Sequence, residues 1–362
     1  TDALKGSPVA LPLSGGLDSR STAAAITTSL VANAWAYSYG YTADSVETRI
    51  ARQAAAARGL PFQAFTIAPY LFENLERLLA WTEGFQDVTQ ARQAAVRDAL
   101  ALRGGSLVGA LWGDVWLDNM GLGEGQVSPA EAAAFALGKM LKRGRTWLLQ
   151  HVVGSHLAGG ECDVALEAWA RQEMDALEGI AEADFRVKAF KTEQWSFRWS
   201  LPPTRVFQSA AWPRLVFYDG RLADFFATVP VGFLIGRRLQ IDFLKRFAPD
   251  LARITWQVYD ANLYDVQHFN TWQLPKRALK KAWRLARGKQ VLERNWEVQF
   301  LHPAGRAGLE RWLLRPGLRL HQLVTPGEVA ALLNSFFAAP DAANGYTVSM
   351  LLTFSAWLEQ YG

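Results

Sequence analysis

The sequence predicts an α/β fold, a parallel doubly wound sheet that continues into a large helical C-terminal extension. Three observations carry that prediction. Short apolar runs recur at residues 9–13, 34–39, 62–67 and 106–111, each the length of a buried strand. The stretches between them have helical character, so strand and helix alternate as they do in parallel sheets. Beyond Gly125 the strand signals become scarce and long amphipathic patterns take over, as at residues 129–141 and 162–177.

The elements follow in order. Val9-Ala10-Leu11-Pro12-Leu13 breaks into a glycine-rich turn, and the alanine-rich residues 21–30 read as a helix behind it. The aromatic run at 34–39 leads into a helix over 45–58, where Val46, Ile50 and Ala54 share one face and Gly59 stops it. Residues 62–67 form the third strand and Ser106-Leu107-Val108-Gly109-Ala110-Leu111 the fourth, ending at Trp112-Gly113-Asp114. Two domains are therefore expected, an α/β core over 1–125 and a mainly helical part over 126–362.

Bulk properties narrow the functional classes. The 362 residues are 50% hydrophobic and 20% charged, enough for a large core. No apolar run is long enough to cross a bilayer and no leader precedes the first strand, so a cytoplasmic protein without membrane attachment is expected. The single cysteine, Cys162, excludes a disulfide framework and reads as a small buried hydrophobe. A net charge of +4 suits an anionic small molecule and is too modest for nucleic acid. The chain starts at Thr1 with a strand close behind, which leads us to expect a further segment upstream.

Ser14-Gly15-Gly16-Leu17-Asp18-Ser19 carries the chemistry. Glycines let backbone N–H groups approach phosphate oxygens, and a following helix adds the positive end of its dipole. Ser14 and Ser19 would add hydroxyl donors. Asp18 would repel a bare phosphate, but it fits a site where Mg²⁺ lies between the two. The lysine and spacing of a Walker loop are absent. Read this way, the loop binds ATP with Mg²⁺; the plainer alternative is an ordinary strand-to-helix turn.

Leu13-Ser14-Gly15-Gly16-Leu17-Asp18-Ser19 resembles the pyrophosphate loop of the N-type ATP pyrophosphatases, or PP-loop proteins, whose fold is adenine nucleotide alpha hydrolase-like. Its wording is closest to the synthetase domain of the asparagine synthetase family. Ser45-Val46-Glu47, the helix through Ala57 with Gly59-Leu60-Pro61, Arg214-Leu215-Val216-Phe217-Tyr218-Asp219, residues 224–230, and Phe243-Leu244-Lys245 with Pro249 are similar to later landmarks of that family. The resemblance implies ATP-dependent amide-bond formation through an acyl-adenylate, with release of AMP and pyrophosphate. Some relatives are lasso-peptide cyclases acting on a precursor peptide. Nothing here resembles the family's N-terminal glutaminase domain.

The resemblance also implies site residues. Ser14, Gly15, Gly16, Asp18 and Ser19 would hold the pyrophosphate. Asp18 and a second carboxylate would hold magnesium, with Asp114 the first candidate and Asp118 the second, although neither is followed by the family's glutamate. Relatives place a pyrophosphate-side lysine late in the chain. Lys276 and Lys289 both qualify, in a basic run with Lys280 and Arg284 that could equally be a solvated face or dock an acidic carrier or leader peptide. The family's glutamate before the Arg-x-Pro-Phe motif is Trp212 here, and its proline is Val216, which opens the question of the acyl substrate.

The five histidines show no metal spacing and read as structural. Most of the 15 tryptophans should be core, while Trp112 and Trp116 flank the expected site as walls for an apolar substrate. A small-molecule or peptide carboxylate is the expected substrate, with a separate amidotransferase, protease or leader-binding protein as the class of partner. A nucleotide-binding scaffold without catalysis is the alternative outside the enzymes.

Overall fold

The structure, a computed structural model, describes residues 4, 6–26, 30, 32–42, 44–122, 127–141, 143–153, 161–268, 275, 279 and 294–362. Contacts divide the chain into two compact units, and both are discontinuous. The first comprises residues 1–67, 96–119 and 207–293, the second 68–95, 120–206 and 294–362. This differs from the division expected between residues 125 and 126. The reason is a strand that returns to the sheet from far downstream.

In the first unit the four expected strands form as β1 (Val9–Pro12), β2 (Ala34–Gly40), β3 (Phe62–Thr66) and β4 (Ser106–Gly109). A fifth, β5 (Trp212–Leu215), pairs with β4 through Ser106 opposite Trp212 and Gly109 opposite Leu215. All pairings are parallel and the order is β3-β2-β1-β4-β5. Pro213 is tolerated because β5 is an edge strand, where one missing N–H leaves no gap in a ladder.

Side chains alternate across the sheet, and each face has its own core. Val9, Leu11, Ala34 and Ala36 pack with Ala51, Ala54 and Ala55 of α2 (Val46–Ala57) and with Ile241, Leu244 and Leu251. The alanines let that helix lie close to the sheet. Ala10, Trp35, Tyr37 and Leu107 face the other way, onto Val96, Leu100 and Ala211. The sheet is thus covered on both faces, as parallel strands require. α1 spans Leu17–Ala24, so it begins inside the glycine-rich motif rather than at residue 21 as expected.

The order of strands fixes where a ligand belongs. From β1 the chain moves outward through β2 and β3, then crosses to β4 on the other side of β1. The loops after β1 and β4 therefore diverge at a topological switch point, the crevice where open α/β sheets bind ligands.

The second unit is helical. Its longest helix, Ala342–Tyr361, buries Val348, Leu351, Leu352 and Ala356. Around it Leu75, Leu78, Leu79, Phe300, Leu309, Leu333 and Phe336 complete one core. The helices expected at 129–141 and 162–177 are Pro129–Met140 and Glu161–Asp175. Capping boxes, Ser128 with Glu131 before Pro129–Met140 and Thr325 with Glu328 before a further helix, Pro326–Ala338, satisfy the first N–H groups of those two helices. Cys162 is only partly buried, on the latter of the two expected helices, so it is not the core residue expected. Among the described residues no helix is long and apolar enough to cross a membrane.

One ion pair is sealed within this unit. Lys188, 0% exposed, sits 3.0 Å from Asp184 one helical turn away, and the other Asp184 oxygen accepts from the Met120 N–H. Lys188→Met, which strands the carboxylate, should cost about 3–5 kcal/mol. The double change Lys188→Met with Asp184→Asn should regain most of it. Urea unfolding of the two variants checks both expectations.

Candidate functional site

The loop after β1 is held by its own side chains. The Ser14 N–H donates to Ser19 Oγ at 3.1 Å, the two serine hydroxyls lie 3.0 Å apart, and the Gly16 N–H donates to Ser14 Oγ at 3.2 Å. Two hydroxyls bonded to each other leave one O–H free to point outward. Gly16 caps α1 in extended conformation and offers no side chain to its first N–H groups. Those groups stay available to an anion at the positive end of the helix.

Gly15 must be glycine for a reason the motif does not reveal. A Cβ there would collide with the side chain of Gln257, whose N–H donates to the Gly15 carbonyl at 3.2 Å. The segment carrying Gln257 is anchored by Arg20, which follows the motif and is 1% exposed. Its guanidinium donates to the carbonyls of Leu251, Ile254 and Thr255 at 3.2, 2.9 and 2.8 Å. Burial draws its pKa down to about 10, which leaves it charged at neutral pH.

Asp18 lies in the first turn of α1. Its Oδ1 accepts from Arg237 at 2.7 Å and from Gln240 Nε2 at 3.1 Å. Gln240 also donates to Ser21 Oγ at 3.0 Å. Burial, the largest influence, pushes the Asp18 carboxyl above its ordinary range; the charge of Arg237 and the hydrogen bond from Gln240 oppose it, and the negative charge of Asp114 adds to it. Gly113, at the foot of the β4 loop, keeps this carboxyl in place. A Cβ on it would stand 2.9 Å from Asp18 Cγ and 2.8 Å from the Phe217 ring.

These groups border a cavity of about 290 Å³, whose lining includes Gly16, Asp18, Asp118, Arg237, Trp256 and Tyr259. Asp118 reaches the Nε of Arg237 at 3.5 Å. Of the two candidates for the second carboxylate, Asp118 therefore lines the cavity, whereas Asp114 is exposed beside it and acts on Asp18 through its field. Among the described residues no three acidic, histidine or cysteine side chains form a metal cage. Magnesium does not need one, since it commonly takes one or two carboxylates and completes its shell with phosphate and water. A partly buried carboxylate whose charge Arg237 does not fully compensate, with a second carboxylate nearby, fits that cation.

Other expected residues have different places. Trp112 is buried against Tyr218, and Trp116 stacks on Phe226 while its indole N–H donates to the Phe217 carbonyl at 3.0 Å. Both support the β4 loop from behind, so they do not wall the cavity. Trp212 is 59% exposed at the start of β5. His151 stacks on Trp147 and bonds Glu328, His302 caps a helix through the Gly305 N–H, and His321 bonds the Leu313 carbonyl. Lys276, Lys289, Lys280, Arg284 and His156 lie outside the described residues. Arg237, Gln240, Gln257, Trp256 and Tyr259 were not expected in the site, and no local pattern marks them.

Residues 3–101 match the family model described as asparagine synthase. The matched stretch contains the Ser14–Ser19 loop and β1 to β3, and it bears out the resemblance over this part of the chain. The later landmarks from Arg214 to Pro249 fall beyond it. No curated protein matches the chain. A domain of this family points to ATP-dependent amide ligation.

Asp18 carries a testable signature. A carboxyl whose folded-state pKa is raised stabilises the fold fully only below its unfolded value of 3.8, and that contribution is lost as pH rises through the raised value. Asp18→Asn should therefore raise Tm at pH 7, and the gain should vanish as pH falls toward 3.8. A Tm series from pH 7 to pH 4 measures it.

Proposed function

We propose that the protein activates a carboxylate with Mg-ATP as an acyl-adenylate, releases pyrophosphate, and passes the acyl group to an amine. The observation that carries this reading is the Ser14–Ser19 loop at the switch point of the sheet, opening α1 beside a partly buried carboxylate. The backbone of Gly15 and Gly16, the first turn of α1 and a serine hydroxyl would take the phosphates. Asp18 and a second carboxylate, Asp118 in the cavity lining or Asp114 beside it, would hold magnesium, which would supply neutralising charge for the departing pyrophosphate. Trp256 and Tyr259, with ring centroids 4.7 Å apart, offer an apolar wall for the rest of the nucleotide. The matched family supports ligation; the AMP-forming course rests on the loop type and on the lack of a Walker lysine.

A peptide carboxylate, as in a macrocyclase, is one form of the same reaction. A nucleotide-binding scaffold is the second reading, favoured by Arg237 already pairing with Asp18 and Asp118. Incubation with Mg-ATP and a panel of acids should release pyrophosphate and AMP. ADP and phosphate instead would overturn adenylation, and calorimetric ATP binding with no pyrophosphate from any acid or peptide would favour the scaffold. Asp18→Ala should lower turnover by at least about a hundredfold, the scale of losing one positioned charge-stabilising group; full activity would remove Asp18 from the metal site.

A further inference from the structure

The cavity contains a cation that the adenylation reading leaves without a task. Arg237 is 219 residues from Asp18 in sequence, yet its NH1 lies 2.7 Å from that carboxylate and its Nε 3.5 Å from Asp118. We propose that Arg237 is a phosphate-contacting residue that serves as counter-ion to Asp18 and Asp118 until Mg-ATP binds, and is then handed from the carboxylates to the polyphosphate. The inference rests on the Mg-ATP reading given above.

Four features of the site support it. Arg237 lines the cavity beside Gly16, so its fork lies within the same space as the N-terminus of α1. Among the described residues its NH2 has no partner; the guanidinium uses NH1 on Asp18 and Gln240 and Nε on Asp118. A planar fork with a spare donor matches phosphate geometry better than an ammonium would.

The backbone at this point is also unusual. Gly236 and Arg237 both occupy the left-handed region, with φ of 63° and 62°. For a residue with a side chain that conformation is strained, and such strain concentrates at functional sites. The turn is what brings Arg237 to the carboxylates, whereas its neighbour Arg238 pairs with exposed Asp242 on the helix surface.

Finally, the carboxylate does not depend on Arg237 for its position. Gln240, 1% exposed, holds Asp18 Oδ1 and is itself fixed by Ser21. Arg237 can leave while Asp18 stays aimed at the cavity. A divalent cation entering on Asp18 would repel the guanidinium, and the triphosphate would supply its new partner.

The test uses Arg237→Asn, because asparagine tolerates the left-handed backbone, together with Arg237→Lys. Binding of Mn²⁺ alone and of Mg-ATP is measured by calorimetry on the full chain, with thermal unfolding to verify folding. Loss of the competing cation should tighten Mn²⁺ alone by about tenfold in Arg237→Asn, while loss of the fork should weaken Mg-ATP by about thirtyfold or more. Arg237→Lys, which keeps the charge without the fork, should bind Mn²⁺ as the wild type does and Mg-ATP about tenfold more weakly; it carries the test if the asparagine variant does not fold. Unchanged Mn²⁺ affinity in Arg237→Asn overturns the counter-ion role, and unchanged Mg-ATP affinity overturns the phosphate role. A wild-type protein that binds Mn²⁺ but no Mg-ATP overturns the adenylation reading itself, and this inference with it.

Discussion

Arg20 leaves α1 one residue after the loop that begins it, and its guanidinium closes hydrogen bonds to three carbonyls of residues 251–255. One of them is in the short helix Pro249–Ala252 and two lie just beyond its end, where unpaired acceptors would otherwise be left. By satisfying them, Arg20 ties the Ser14–Ser19 loop to the segment that carries Trp256, Gln257 and Tyr259. Gln257 then rests on Gly15, and the two rings form one wall of the cavity. A single buried cation thus sets the spacing between the loop and its opposite wall. Lysine could not replace it, because a point charge does not reach three acceptors in a fixed plane.

The charge around Asp18 is arranged on a different principle. Asp18 is partly buried and only partly compensated, with Asp114 and Asp118 adding negative charge around the β4 loop. Such a set is unfavourable for the fold alone and favourable for a cation that arrives with its ligand. Sites that bind polyphosphate through a metal share this feature, since the protein must leave room in its own electrostatics for the charge that is to come.

β1, β2 and β4 could be read from sequence because each is a largely apolar run that the sheet buries, and β3, a half-exposed edge strand, because its two phenylalanines follow the Gly59 turn. β5 could not. Trp-Pro-Arg-Leu has an exposed tryptophan and a proline, and it reads as an edge or a turn until β4 supplies its partner. The glycine-rich loop was equally legible as a strand-to-helix connection, because glycines and serines bunched behind an apolar run mark one. Its start of helix was misplaced by four residues, since Gly16 caps α1 with its backbone and leaves no side-chain signal. Arg237, Gln240 and Gln257 were invisible for a topological reason. They reach the loop only through the fold, more than 200 residues away in sequence, and a left-handed arginine has no sequence signature. Trp112 and Trp116 were adjacent to the site in sequence, but their rings point into the packing behind the β4 loop.

The late arrival of β5 matters while the chain is being made. Until residue 215 has left the ribosome, β4 is the outermost strand on that side, and its row of N–H and C=O groups has nothing to pair with. An uncovered apolar edge of this kind recruits strands from other molecules. More than 100 residues of chain separate β4 from its partner, so the nascent protein carries this edge through a large part of its synthesis. Chaperone demand during translation should therefore concentrate on that interval, long before the phosphate loop has its opposite wall.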